Sequence, residues 1–172
     1  VSSNFTLNTH AVEREVINIF QNLTGADPKE TWGYCTNGGT EGNMYGLFLA
    51  REIYPKGIVY FSEETHYSVN KIIKCLNIDC VQVKATSKGE MDINHLNDLL
   101  MENKGRPAIM VCNVGTTMTG AIDDLDEIKK SLKRNGINQF YIHADAALSG
   151  MILPFVKNPQ AWSFRSGVDS IS

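Results

Sequence analysis

The chain has 172 residues, of which 42% are apolar, 20% charged and 9% aromatic. That is one globular domain's worth of sequence with enough apolar material for its own core, which excludes a disordered or fibrous chain. Sixteen Lys and Arg against nineteen Asp and Glu leave a formal charge of -3, and the interspersed signs provide no cationic field for nucleic acid or an anionic lipid surface. The longest apolar runs, such as Ala108 to Cys112, are far shorter than the roughly 20 residues that cross a bilayer, and no charged start precedes an apolar signal core. A soluble, cytoplasmic protein is expected, with no membrane or nucleic-acid partner. Cys35, Cys75, Cys80 and Cys112 have the spacing of neither a disulfide framework nor a zinc site, so no metal is expected and the thiols read as buried or half-buried and free.

In chain order, His10 to Leu23 carries Val12, Val16, Ile17, Ile19, Phe20 and Leu23 at helical spacing, with Glu13 and Glu15 near its start, where they suit the helix dipole. Thr40 to Ile53 repeats the period with Met44, Leu47, Phe48 and Leu49, after a glycine-rich approach and before Pro55. A short strand over 57–62 follows, then a helix over Ser68 to Leu76, a strand over Cys80 to Ala85, and a helix over Asp92 to Asn103 capped by Asp92. Ala108 to Val114 is nearly continuous apolar sequence, as in a strand covered on both faces. Asp124 to Asn135 is helical with Gly136 as its stop, 140–147 is a strand, and 167–172 reads like the start of another. Helix and strand in alternation with short connections predict one α/β layered unit with a largely parallel sheet.

In such sheets ligands sit off the carboxyl ends of the strands, and three places answer to that. Gly38 and Gly39 precede Thr40 at a helix start, where free amides and the positive end of the helix dipole form an anion cup; the plain alternative is a glycine-rich loop that only caps the helix. The segment matches neither a dinucleotide fingerprint nor a P-loop with its lysine. Asp145 stands between Ala144 and Ala146 at a strand end, where a carboxylate is costly unless something positive meets it; the alternative is a structural Asp that caps a loop or pairs with a lysine. His66 follows another strand and could cover a flat ring or move protons, or simply be hydrogen-bonded in its loop.

One ligand serves all three at once: a flat, cationic heteroaromatic ring that bears a phosphate. Pyridoxal phosphate is that ligand. Its phosphate suits the Gly38-Gly39-Thr40 cup, its ring face suits His66, and its protonated ring nitrogen suits Asp145, which thereby keeps the ring an electron sink.

The strings that carry these residues are Tyr34 to Gly46 (YCTNGGTEGNMYG), Tyr60 to Val69 (YFSEETHYSV), Gly115 to Asp124 (GTTMTGAIDD) and His143 to Phe155 (HADAALSGMILPF). Together, in this order and through essentially the whole chain, they closely resemble the pyridoxal-phosphate group II amino acid decarboxylases, and within that group the bacterial histidine decarboxylases. The resemblance implies the large domain of a fold type I enzyme, a mostly parallel sheet with helices on both faces. It implies that Gly38, Gly39 and Thr40 hold the phosphate, that His66 stacks on the ring beside the substrate, and that Asp145 pairs with the ring nitrogen. It further implies that Ala147 lies against the ring, that Thr117 reaches the phenolic oxygen side, and that Asp123 stands behind these residues. The implied reaction is α-decarboxylation of an L-amino acid, histidine to histamine and carbon dioxide first and serine as the alternative substrate, in a homo-oligomer (dimer or tetramer) whose neighbouring subunit completes the substrate pocket. Other enzymes of the same fold share the cup and the aspartate, so those two features alone do not choose the reaction, and a binding module without catalysis is the alternative of a different class.

The group anchors its cofactor through a lysine in a Ser-x-His-Lys-like segment shortly after the strand that begins near Val168. The chain opens at Val1 without a Met and closes at Ser172 before such a segment, and Lys157 lies in a polar Lys-Asn-Pro loop with no His before it. The sequence thus reads as an internal piece of the large domain, without the anchoring lysine or a small C-terminal domain, and inactive by itself. Borohydride reduction of the 172-residue chain after addition of the cofactor is expected to trap no lysine adduct; a robust adduct would overturn that expectation.

Overall fold

The computed structural model describes residues 8–172. Its centre is β3 (Ala108–Asn113), buried at all six positions. Alternation splits this strand between two cores: Ala108, Met110 and Cys112 enter one, Ile109 and Val111 the other. β1 (Ile58–Ser62) is divided the same way, with Ile58 and Tyr60 in the first core and Val59 and Phe61 in the second. A strand buried on both faces needs helices on both faces. α2 (Gly39–Ile53) and α3 (Ser68–Leu76) cover one side through Leu47, Ala50, Val69, Ile72 and Ile73. α4 (Ile93–Glu102) and α5 (Leu125–Arg134) cover the other through Leu96, Leu100, Ile128 and Leu132.

Five parallel strands lie in the order β2 (Asp79–Val83), β1, β3, β4 (Phe140–Asp145) and β5 (Ser170–Ile171). The chain moves outward from β1 to β2, crosses back through α4 to β3, and then continues outward on the other side. β1 and β3 therefore flank the point where the winding reverses, and the loops leaving their carboxyl ends diverge and open a crevice. The predicted α/β class and parallel sheet are those observed.

Several boundaries and burials differ from expectation. β2 runs over Asp79–Val83 rather than to Ala85, whose only ladder contact is an antiparallel bridge to Met91. β4 ends at Asp145 rather than Ala147, because the Ala147 amide turns back to Asp145 Oδ1. The apolar stripe of α1 (His10–Thr24) enters neither core: Val12 is 60% and Ile19 57% exposed, and the buried positions of this helix are Gln21 and Thr24 near its end. Among the cysteines Cys112 alone is buried, while Cys35, Cys75 and Cys80 are exposed and free; β2 is an edge strand, which leaves Cys80 uncovered. No helix among the described residues is long and apolar enough to cross a membrane.

α2 lies unusually close to β4 and β5 because its inner face is glycine. A Cβ at Gly42 would sit 2.7 Å from that of Ser172, and one at Gly46 would strike the imidazole of His143. Gly46→Ala is expected to destabilise the fold by about 1–3 kcal/mol through this overpacking, read as a lower urea midpoint; an unchanged midpoint would mean that the helix has room to move.

Candidate active site

A cavity of about 300 Å³ opens at the carboxyl end of the sheet, between the first turn of α2 and the loops that follow β1, β3 and β4. Gly39, Thr40, His66, Thr117, Asp145 and Ala147 all line it, together with Asn43, Asn113, Gly115, Thr116 and Leu148. A larger depression of about 550 Å³, walled by Lys129, Lys130 and Lys133 of α5 and by Phe140, lies at the opposite, amino-terminal end of β4, away from the converging loops where α/β sheets bind ligands.

The cup differs in detail from its sequence reading. α2 begins at Gly39, its N-cap is Gly38, and no side chain caps it, so Thr40 is the second helical residue and its hydroxyl is not a cap. Gly38 adopts φ 145°, a conformation that side chains resist, and its carbonyl takes the Glu41 and Gly42 amides at 3.0 and 3.2 Å. Gly38 thus shapes the turn and does not line the cavity. The Gly39 and Thr40 amides have no partner among the described residues and head the helix, which is the arrangement that receives an anion. The loop ahead is braced by Glu41, whose Oε2 accepts from the Asn37 amide at 2.9 Å and the Asn37 side chain at 3.1 Å; the first of these bonds is the main cause holding its carboxyl below the ordinary range. Opposite, Ala147 is so close that a Cβ on Gly39 would stand 2.9 Å from its own, so glycine is what keeps the cup open.

Asp145 is 9% exposed and paired with no cation among the described residues. Its Oδ2 accepts from Asn43 Nδ2 at 2.7 Å, and its Oδ1 has only the long 3.3 Å contact from the Ala147 amide. A buried carboxylate with neutral partners on one oxygen and room on the other suits a cationic ligand. Half-buried His66 keeps its ring at the cavity through Nδ1, which accepts from the Ser68 amide at 3.4 Å and lies 2.7 Å from Ser68 Oγ. These contacts engage Nδ1 and leave Nε2 without a partner among the described residues. Thr117 is exposed at the cavity rim on the loop after β3.

Asp123 does not reach the cavity. It is 2% exposed and accepts from the Met91 amide and the Asn113 amide at 2.7 Å each and from Asn113 Nδ2 at 2.9 Å. It thereby fixes Asn113, which pairs in register with Asp145. Burial pushes its carboxyl up to about 6, against these hydrogen bonds.

Sequence reading passes over Asn43, Asn113 and His143. The available clue is alternation: Tyr141, His143 and Asp145 share the face of β4 that meets α2, where Gly42 and Gly46 flank Asn43. His143 is wholly buried, and desolvation lowers its imidazole to about 4, with the Asp145 charge opposing the shift.

The residues from 9 to 172 match the family model described as the pyridoxal-dependent decarboxylase conserved domain. The chain belongs to the pyridoxal-dependent decarboxylase family. Pyridoxal phosphate is that family's cofactor, and the amide cup, the cation-seeking carboxylate and the imidazole of this chain fit it. The chain is 48% identical to the histidine decarboxylase of Vibrio anguillarum over 172 residues, 99% of the chain and 45% of that protein. It is 50% identical to the histidine decarboxylase of Pseudomonas entomophila over 170 residues, 98% of the chain and 42% of that protein. In fold it matches L-methionine decarboxylase from Streptomyces sp. 590 with a TM-score of 0.81 at 24% identity, over 90% of this chain and 46% of that one. The chain spans less than half the length of these relatives.

Two buried groups contribute to the acid response in opposite senses. His143 is neutral in the fold at pH values where the unfolded chain would protonate it, so its contribution is present above 6.5 and lost as pH falls toward 4. Asp123 runs the other way: its contribution is full below 3.8 and lost as pH rises through about 6. Between about 4 and 6 the two therefore act on stability in opposite senses. Relative to wild type, urea unfolding of His143→Gln should gain stability on acidification and Asp123→Asn should lose it; parallel curves would contradict both assignments.

Proposed function

We propose that this chain is the cofactor-cradling part of the large domain of an L-amino acid decarboxylase that converts histidine to histamine and carbon dioxide. The observation that carries the reading is the meeting of three features from distant parts of the sequence at one cavity: the amide cup of α2, His66 after β1, and a buried Asp145 without a cation. Histidine as the substrate is supported by relatives of that name at 48% and 50% identity.

In this reading the Gly39 and Thr40 amides bind the phosphate of pyridoxal phosphate, with the α2 dipole behind them and Gly38 setting the turn. Asp145 Oδ1 holds the proton on the ring nitrogen by a charge-assisted hydrogen bond worth about 1.5–3 kcal/mol. When bound, the cofactor supplies a sink for the electron pair left on the substrate's α-carbon as carbon dioxide departs. Ala147 would lie against the ring, and His66 would stack on it beside the substrate, where it would exclude water and could orient the carboxylate or hold a proton. Thr117 donates to the phenolic oxygen side, and Asp123 keeps Asn113 and the loop bearing Thr117 in place.

The working unit in this proposal is a homo-oligomer. Met118 at 84%, Met151 at 69% and Phe155 at 76% exposure, on the loops that follow β3 and β4, are the kind of apolar surface that another subunit covers. A cytoplasmic location is supported by the three exposed free thiols, which persist in a reducing compartment.

In the full-length enzyme, Asp145→Asn at saturating cofactor is expected to keep the cofactor bound while turnover falls by about a hundredfold or more. Near-normal turnover would remove the proposed role. Carbon dioxide release with histidine and serine in parallel tests the substrate, and preference for serine would replace histidine.

A further inference from the structure

Asn43 is the polar residue on the glycine face of α2, and the reading above leaves it unused. It is 2% exposed, and both ends of its carboxamide are engaged. Nδ2 lies 2.7 Å from Asp145 Oδ2, Oδ1 lies 2.8 Å from His143 Nε2, and Ser172 Oγ reaches the same Oδ1. On the far side of the imidazole, His143 Nδ1 lies 2.7 Å from Ser170 Oγ.

A carboxylate accepts and cannot donate, so the Asn43 amide must present its nitrogen to Asp145 and its oxygen to His143. That oxygen requires the proton of a neutral His143 on Nε2, which makes Nδ1 an acceptor for the Ser170 hydroxyl. The result is a one-way series of donors, Ser170 to His143 to Asn43 to Asp145. Turning the amide over would set oxygen against carboxylate and NH2 against N–H in a buried place. Each bond in such a series polarises the next toward the carboxylate.

We infer that Asn43 and His143 are positioning residues that form a neutral hydrogen-bond relay, which fixes the rotation of Asp145 and reserves its Oδ1 for the cationic ring nitrogen of the cofactor. The inference rests on the proposed role of Asp145. Neutrality is the functional point: a lysine or an imidazolium at this position would pair with Asp145 itself and compete with the cofactor for its charge. The burial that keeps His143 uncharged is consistent with this, and the absent side chain of Gly46 gives its ring the room it occupies.

The test uses the full-length enzyme and two readouts besides turnover: the dissociation constant for pyridoxal phosphate, and the pH titration of the bound cofactor's visible absorbance. Asn43→Leu and His143→Leu should each weaken cofactor binding by about three- to tenfold and move the absorbance titration. The double variant should be no worse than either single one, because the members of one relay act as a unit. His143→Gln, which restores a donor near the Nε2 position, should recover most of the loss. Wild-type affinity and titration in Asn43→Leu, additive losses in the double variant, or a His143→Gln as impaired as His143→Leu would each overturn the relay. If the leucine variants do not fold, Ser170→Ala carries the test: a displaced titration supports the relay and an unchanged one overturns it. Asp145→Asn, measured alongside, separates the two readings. If it leaves the titration unchanged, the role of Asp145 itself falls; if it moves the titration and Asn43→Leu does not, the relay alone falls.

Discussion

The structure depends on one electrostatic constraint: a carboxylate is buried at the end of an interior strand, and among the described residues neutral groups alone meet it. Asp145 is held by an amide on one oxygen and almost free on the other. A carboxylate buried with neutral partners gains from a positive one, so the fold favours a cation at this position. The remaining site features are arranged around that preference. The helix end supplies donors for an anion, and half-buried His66 borders the same cavity.

The sheet makes this arrangement possible. Because β1 and β3 flank the reversal of winding, their outgoing loops part, and the loop after β4 contributes Asp145 and Ala147 to the same opening. Residue alternation then decides which side chains reach it. Tyr141, His143 and Asp145 point toward α2, while Ile142 and Ala144 join the core on the other face of the sheet.

Much of this was legible in the sequence, because the strongest cues are local. The nearly continuous apolar run of β3, the helical period of α5 and the Asp92 cap of α4 all appear where they were expected. The glycine loop, His66 and Asp145 could be singled out from their places after strands. What escaped depends on contacts between distant segments. Asn43 and His143 are a hundred residues apart, and nothing in either neighbourhood alone announces a shared bond. The exposure of the α1 stripe is equally nonlocal, since amphipathic spacing says which face could be buried but not whether a partner surface stands opposite. α2 starts at Gly39, one residue before the expected Thr40, because Gly38, with its unusual backbone angle, serves as its N-cap.

The closeness of α2 to the sheet has a mechanical corollary. One end of this helix carries the free amides, and a single turn later, about 5 Å along its axis, comes the side chain that grips Asp145. The two ends of any molecule lodged in the crevice are therefore gauged by one stiff rod clamped to β4 and β5 through bare glycine backbone. A displacement of that rod would loosen both grips together, so the seating of the helix on the sheet sets the spacing of the two contacts.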